Sequence, residues 1–107
     1  MDATETARGA RIIADMRTIE SAESMHYATK GTFVDLDTLV SDGNLAAVPI
    51  PPQGAYKIAE SGVSGTNTEA NYKVTVTVAT DTDPAKVTIE LGKGKDIKHF
   101  LTKSTKS

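Results

Sequence analysis

The chain has 107 residues, a length that suits one domain with a modest core. Its formal charge is −2, and the body carries no large run of one sign, so nothing favours nucleic acid as a partner. The absence of cysteine excludes disulfides, thiol catalysis and cysteine-bound zinc. No apolar run approaches the ~20 residues that a membrane-spanning helix needs.

Residues 2–30 are predicted to form one long amphipathic helix, against which the rest of the chain packs. Asp2 and Glu5 fit a capping box, and Gly31 stands where a left-handed residue ends a helix. A helix of about 27 residues is roughly 40 Å long, so one end is expected to overhang the domain. The stripe predicted to face the core consists of Ile12, Ile13, Met16, Ile19, Glu23 and Tyr27.

The opposite face of this helix carries small residues at helical spacing, interrupted by Arg17. Two interpretations stay open. A row of small side chains lets a second helix approach closely, which would make this face a subunit contact. Alanine is also the best helix former and is well tolerated on an exposed face. The row consists of Ala3, Ala7, Ala10, Ala14, Ser21 and Met25.

Residues 31–55 are predicted to connect the helix to a sheet. Asp35 can cap a short helix whose apolar face is formed by Leu36, Leu39 and Val40. The run from Pro49 to Pro52 fits neither a helix nor a central strand and is expected to form an extended crossover.

The second half of the chain alternates apolar and polar residues, which is typical of antiparallel strands with one solvated face. Strands are predicted at 56–58, 72–78 and 87–91, with a hairpin turn at 80–84 and a longer mobile loop at 61–71. Ile97, Phe100 and Leu101 would form a fourth strand or a docked turn, and residues 102–107 a flexible tail.

These elements predict a single α+β domain over residues 1–107. The long N-terminal helix is expected to lie across a three- to four-stranded antiparallel sheet, since it has the only large apolar stripe available to cover that sheet. The sheet would span residues 56–101.

The order of these elements, together with local sequence, resembles the type IV pilins and type II secretion pseudopilins. The similarity covers roughly residues 7 to 58. The sheet half agrees only in pattern. The matching residues are the run A-D-M-R-T-I-E-S-A at 14–22, Tyr27, the run K-G-T-F at 30–33, Leu36, Leu39, and the stretch 43–52 leading to Tyr56.

The resemblance implies a pilin-like α/β roll and a non-enzymatic structural subunit of a pilus or pseudopilus filament, with the helix in the fibre core and the sheet and loops outside. It implies an extracytoplasmic location, in the periplasm or a cell-surface filament, with inner-membrane anchoring before assembly. Family members begin with a leader and about 25 apolar residues, which this chain lacks. Trimming to the soluble part and a naturally detached partner of a short pilin are both compatible with that difference.

The partners implied by the resemblance are other pilin-like subunits, bound through the N-terminal helix. Arg8, Arg11, Asp15 and Arg17 are the candidates for charge pairing between helices. The candidates for close approach are Ala7, Ala10 and Ala14.

Many type IVa pilins close the C-terminal region with a disulfide, which is impossible here. Major secretion pseudopilins hold calcium there, for which Asp81 and Asp83 are the candidate ligands. A hairpin turn explains these two residues without metal.

No constellation of residues predicts catalysis or a cofactor. His26 and His99 lack partners at metal-ligand spacing, and Glu20 and Glu23, which follow Arg17, fit a solvated charged face. The alternative to a filament subunit is a free-standing periplasmic binding or pilin-partner module. That alternative predicts a concave pocket and stabilisation by a ligand.

Overall fold

The computed structural model describes residues 3–91 and 102–105. A long N-terminal helix packs against antiparallel strands, so the predicted α+β fold is confirmed. Asp2, Ile97, Phe100 and Leu101 lie outside the described residues. The elements are α1 (Ala3–Lys30), α2 (Leu36–Ser41), β1 (Gly54–Lys57), β2 (Ser64–Asn67), β3 (Lys73–Thr77), β4 (Ala85–Glu90) and β5 (Thr102–Thr105).

The strands belong to two separate antiparallel sheets, and not to the one sheet that the sequence predicted. One sheet has the order β1-β2 and the other β3-β4-β5. In the second sheet, Val76 lies opposite Val87, and Thr88 lies opposite Thr102. The prediction of a flexible tail over residues 102–107 was wrong for Thr102–Thr105, because this segment forms β5 beside β4.

Helix α1 buries the predicted stripe. Ile12, Met16 and Ile19 are fully buried, and the helix packs on β1 and, over a narrower area, on β4. The helix ends as predicted: the Gly31 N–H donates to the Tyr27 carbonyl at 2.8 Å, and Gly31 has a φ of 76°, the left-handed conformation that glycine adopts without a steric penalty.

The short helix α2 also forms where the sequence predicted it. A carboxylate oxygen of Asp35 accepts a hydrogen bond from the Thr38 N–H at 2.9 Å, which satisfies one of the unpaired donors at the start of a helix. Leu39 is fully buried against the core. The Asn44 N–H donates to the Leu39 carbonyl at 2.8 Å and closes the end of the helix.

Part of the loop predicted at 61–71 is a strand. Residues 64–67 form β2, which pairs with β1 and places Gly65 opposite Tyr56. The Tyr56 ring lies over this glycine, so a Cβ there would lie 2.8 Å from the Tyr56 hydroxyl oxygen. Asn67 is buried and anchors the end of β2, because its Nδ2 donates to the Pro52 carbonyl at 2.8 Å and its Oδ1 accepts from the Glu69 N–H at 2.9 Å.

The apolar face predicted for residues 72–78 is only partly buried. Tyr72 is buried, but Val76 is 37% exposed and Val78 is 77% exposed. On the neighbouring strand β4, Val87 and Ile89 are fully buried. The difference follows from the position of α1, which covers β4 and leaves the second half of β3 beyond its reach.

Gly9 allows α1 to contact the end of β1 directly. A Cβ at this position would lie 1.9 Å from the Lys57 carbonyl oxygen, a separation that real Cβ atoms do not reach. The backbone of Lys57 would therefore have to move, or the helix would have to shift away from the sheet. Glycine is thus a packing requirement at this point of the helix.

We expect Gly9→Ala to lower the free energy of unfolding by about 1–3 kcal/mol, the usual effect of overpacking a core. The same change at an exposed helix position raises stability by about 0.5–1 kcal/mol. Urea denaturation measures the difference. Ala10→Gly, at the exposed neighbouring residue, is the control and reports the intrinsic preference for alanine. A Gly9→Ala variant more stable than the parent protein would contradict this account of the contact.

Candidate functional site

Five of the seven predicted interface residues lie on the exposed face of α1. Ala7, Ala10 and Ala14 are exposed along the small-residue row, together with Arg11 and Arg17. The row continues to Ser21, which is exposed, and to Met25, which is 57% exposed. We call this surface the outer face of α1: Ala3, Ala7, Ala10, Arg11, Ala14, Arg17, Ser21 and Met25.

The other two predicted interface residues bind within their own chain. Arg8 is half-buried, and its Nη1 donates to the Ala55 carbonyl of β1 at 2.9 Å. The Asp15 carboxylate accepts a hydrogen bond from the Tyr72 hydroxyl at 2.6 Å. Arg11 lies near the same carboxylate, with 3.8 Å between its Nε and an Asp15 oxygen. Arg8 and Asp15 therefore fix α1 to the strands and are not available for charge pairing between subunits.

The contact between Tyr72 and Asp15 also sets the protonation state of the phenol. Burial, followed by the hydrogen bond to the Asp15 carboxylate, raises the pKa of Tyr72 above its ordinary value. The hydroxyl consequently stays protonated and donates to Asp15 throughout the physiological pH range. This bond fixes the start of β3 to the middle of α1.

A buried polar cluster lies at the other end of α1, on the face turned away from the outer face. His26 is 2% exposed, its Nδ1 lies 2.7 Å from the Thr32 carbonyl oxygen, and its Nε2 lies 2.7 Å from a carboxylate oxygen of Asp42. Both neighbouring oxygens are hydrogen-bond acceptors, so each ring nitrogen has to donate a hydrogen bond. The two nitrogens can both donate only in the imidazolium form, in which each carries a proton. The Lys30 ammonium nitrogen is 3.8 Å from the same Asp42 oxygen.

The pKa of His26 reflects two opposing causes. Burial alone lowers it, but the hydrogen bonds to Thr32 and Asp42 and the charges of Asp42 and Glu23 together raise the pKa above its ordinary value. The ring joins three segments: the last turns of α1, the turn after Gly31, and the end of α2.

Glu23 lies one turn before His26 and is fully buried. Its Oε1 accepts a hydrogen bond from the Val34 N–H at 3.0 Å, whereas its Oε2 has no hydrogen-bond partner among the described residues. Burial is the main cause that raises the pKa of Glu23 from 4.5 to about 7. The hydrogen bond from Val34 and the charge of His26 act in the opposite direction and do not cancel it.

Sequence reasoning treated these two side chains differently. The helical period placed Glu23 on the buried stripe, yet its spacing from Glu20 and Arg17 led to its interpretation as a surface charge. That interpretation was wrong, and the period was the better signal. His26 was noted only for its lack of metal-ligand spacing. Its partner Thr32 lies just past the Gly31 turn and Asp42 lies at the end of α2, so neither could be paired with it from the helix pattern.

The described residues form no group of side chains suited to metal binding. Within residues 3–91, no three His, Asp or Glu side chains converge as metal ligands, and no helix of that part is long and apolar enough to cross a membrane. The calcium candidates Asp81 and Asp83 lie in a turn closed by the Asp83 N–H donating to the Thr80 hydroxyl at 3.0 Å. An open cleft of about 640 Å³ lies between the start of α2 and the start of β3, beside Leu36 and Tyr72.

Comparisons with protein-family models, with curated proteins and with solved structures found no match to this chain.

The buried cluster predicts that this protein is more stable in mild acid than at neutral pH. The pKa of Glu23 is about 7 in the folded protein and 4.5 in the unfolded chain, so the folded protein holds this proton more tightly. The free energy of unfolding is therefore highest below pH 4.5 and falls as pH rises from 4.5 to about 7. The stabilisation from His26 is complete below its unfolded pKa and is lost as pH rises through its raised folded pKa. The hydrogen bond to Thr38 lowers the pKa of Asp35. The stabilisation from Asp35 is therefore complete above its unfolded pKa of 3.8, and it is lost only at a pH below that value.

We therefore expect the free energy of unfolding to fall by about 3 kcal/mol through Glu23 between pH 4.5 and pH 7.5, measured by urea denaturation. Glu23→Gln keeps a carbonyl oxygen for the Val34 N–H and removes the charge, so it should abolish most of this slope. Glu20→Gln, at a half-buried position on the same helix, is the matched control. An equal pH slope in the parent protein and in Glu23→Gln would contradict the assignment.

Proposed function

We propose that this chain is a non-enzymatic structural subunit of a pilus or pseudopilus filament, assembled through the outer face of α1. The observation that carries this proposal is that one side of α1 is fully buried and the opposite side is exposed. Ile12, Met16 and Ile19 are fully buried against the strands, while Ala7 and Ala14 on the other side are exposed. The resemblance of residues 7 to 58 to the pilin and pseudopilin group adds independent support.

The chemistry of the outer face suits a contact between helices. Alanine side chains add little width, so two helices can approach until their backbones nearly touch. Arg11 and Arg17 lie on opposite flanks of the row, and Glu20 follows Arg17 on the same flank. Copies shifted along the helix axis can therefore place an arginine of one helix near Glu20 of the next.

The cleft between α2 and β3 supports the second candidate function, a free-standing binding module. The cleft is acidic, with Asp35, Asp37 and Glu69 on its walls and Lys73 as the one cation among its described lining residues. A basic peptide is the ligand class that this charge would favour. This candidate predicts that such a peptide raises the melting temperature, and that changes on the outer face of α1 have no effect on function.

Cysteine substitutions test the filament proposal, because the chain has no cysteine of its own. We expect the double variant with Ala7→Cys and Ala14→Cys, in cells that express the complete gene, to give ladders of multimers after treatment with a short bifunctional thiol reagent, because each chain then has two thiols to link. The double variant with Ser64→Cys and Thr66→Cys, at exposed positions of β2, is the control and should give none. Equal ladders from both variants, or ladders from neither, would contradict assembly through this face.

A bulky side chain on the same face provides a second test. Ala14→Leu should reduce filament assembly roughly tenfold or more, since the added atoms separate the helices. Its melting temperature should stay close to that of the parent protein, because Ala14 is exposed in the isolated subunit. Unchanged assembly in this variant would count against the proposal even if a crosslink formed.

A further inference from the structure

Polar contacts join the last turns of α1 to the chain that follows it, residues 32–42, which we call the α2 segment. The Glu23 carboxyl group accepts a hydrogen bond from the Val34 N–H at 3.0 Å. The His26 ring lies 2.7 Å from the Thr32 carbonyl oxygen and 2.7 Å from a carboxylate oxygen of Asp42. We call these contacts the junction. Two helix side chains therefore hold the segment through three of its residues.

Both helix side chains bind the segment best when they carry a proton. Glu23 is fully buried, and its Oε2 has no hydrogen-bond partner among the described residues. A negative charge on this carboxyl group is consequently unfavourable. His26 lies between two acceptors, so a neutral ring, which has a single N–H, loses one of its two hydrogen bonds. Loss of either proton weakens the same junction.

The backbone allows the α2 segment to separate from α1. Gly31 and Gly43 lie at its two ends with φ of 76° and 82°, and a Cβ added at either would have no atom within 4 Å. Both ends are thus open turns, which can absorb a change in backbone direction. The contact of α2 with α1 is also narrower than that of β1, so the helix keeps its main support when the segment leaves.

We propose that the junction is a pH-sensitive switch: its protons hold the α2 segment against α1 in acid, and their loss near neutral pH lets the segment detach while α1 and the sheets stay folded. The detached state is a minor population at every pH, because detachment exposes Phe33 and Leu39, which are buried in the closed state. The pH changes the size of that population, since protons bind the closed state more tightly.

The surroundings of Glu23 set the pH at which its proton leaves. Burial raises the pKa of Glu23 to about 7, against the hydrogen bond from Val34 and the charge of His26, and the charge of Asp35 adds to the rise. Glu20, one turn earlier on α1, and Glu90, the buried acidic residue of β4, are not among the groups that shift it. The proton is therefore released near neutral pH in the closed state, and near pH 4.5 once the segment has left.

The surroundings of His26 give a pH dependence of the same sign. Burial lowers the pKa of His26, but the contacts with Thr32 and Asp42 and the charge of Glu23 raise it above its ordinary value of 6.5. A raised pKa stabilises the closed state fully below 6.5, and this stabilisation is lost as pH rises through the pKa of the closed state. The Lys30 ammonium, 3.8 Å from the same Asp42 oxygen, stays close to that carboxylate when the ring becomes neutral.

Detachment also changes the surface beside the outer face of α1. A groove of about 340 Å³ lies there, with Ser21 and Met25 on one wall and Asn44 and Leu45 on the other. The N–H groups of Asn44 and Leu45 donate to the Leu39 carbonyl at 2.8 and 3.1 Å, so this wall moves with the segment. If the outer face of α1 is the filament contact, the switch makes assembly stronger in acid. That consequence rests on the proposed function, whereas the switch itself does not.

Amide hydrogen exchange of the purified protein, measured for single residues, tests the switch without any filament. The reporters are the N–H groups of Asp42, Asn44 and Leu45, which bond to carbonyls of α2. A helix of six residues is not stable alone in water, so these bonds open when the segment detaches. We expect their protection factors, which are corrected for the intrinsic exchange rate, to fall roughly 50-fold between pH 5 and pH 8.

Amides in the β3–β4 pair distinguish detachment from global unfolding. At each pH the reporters should be about tenfold or more less protected than these amides, and less sensitive to low concentrations of urea, because detachment exposes less surface. Reporters with the same protection and the same urea dependence as the β3–β4 amides would overturn the proposal, since the segment would then open only with the whole domain.

Two conservative substitutions test the two side chains separately. Glu23→Gln keeps an oxygen for the Val34 N–H and should remove most of the pH dependence at the reporters, whereas Glu20→Gln should leave it unchanged. Asp42→Asn keeps an acceptor for His26 without the charge and should lower reporter protection several-fold at pH 5 but little at pH 8. Asp37→Asn, at an exposed position of α2, is its control. A parental pH dependence in both Glu23→Gln and Asp42→Asn would overturn the assignment.

Discussion

One helix holds the two sheets of this protein together. Among the described residues the sheets share no strand pairing, whereas α1 packs on β1 of one sheet and on β4 of the other. Polar and backbone contacts fix the helix at intervals along its length: Gly9 against the Lys57 carbonyl, Asp15 with the Tyr72 hydroxyl, and His26 with Thr32. Apolar burial supplies most of the favourable free energy. The first two contacts fix where along the helix each sheet lies, and the third fixes the turn that follows the helix.

The parts of the fold that sequence could predict were those with a repeating apolar pattern. The period of the helix identified its buried side, and alternation identified β4 with its buried Val87. Strand β2 was missed because its residues, S-G-T-N, carry no apolar alternation. Three contacts stabilise this strand: its pairing with β1, the Tyr56 ring that lies over Gly65, and the buried amide of Asn67. Such strands depend on tertiary partners and have no local signal.

The buried polar residues show a different limit of sequence reasoning. Periodicity predicted that Glu23 points inward, but a carboxylate in a core position is unfavourable unless it is neutral or hydrogen-bonded. Here the Val34 N–H binds one oxygen, and the charge of His26, one turn away, partly offsets the effect of burial on the pKa of Glu23. To predict that Glu23 is buried, one would have to know the path of the chain from residue 31 to residue 42. The pattern of residues in the helix does not give that path. Likewise, Arg8 and Asp15 belong to the predicted interface by spacing alone, and only the position of the strands shows that they bind within their own chain.

The symmetry of the proposed helix contact determines what it can build. A contact between the outer faces of shifted helices joins unlike parts of two copies, so it can repeat without limit and generate a filament. A contact that joined identical parts of two copies would end with a pair. Ala7 and Ala14 are both exposed and lie about two turns apart on one side of α1, so a shift along the axis can place Ala7 of one copy beside Ala14 of the next.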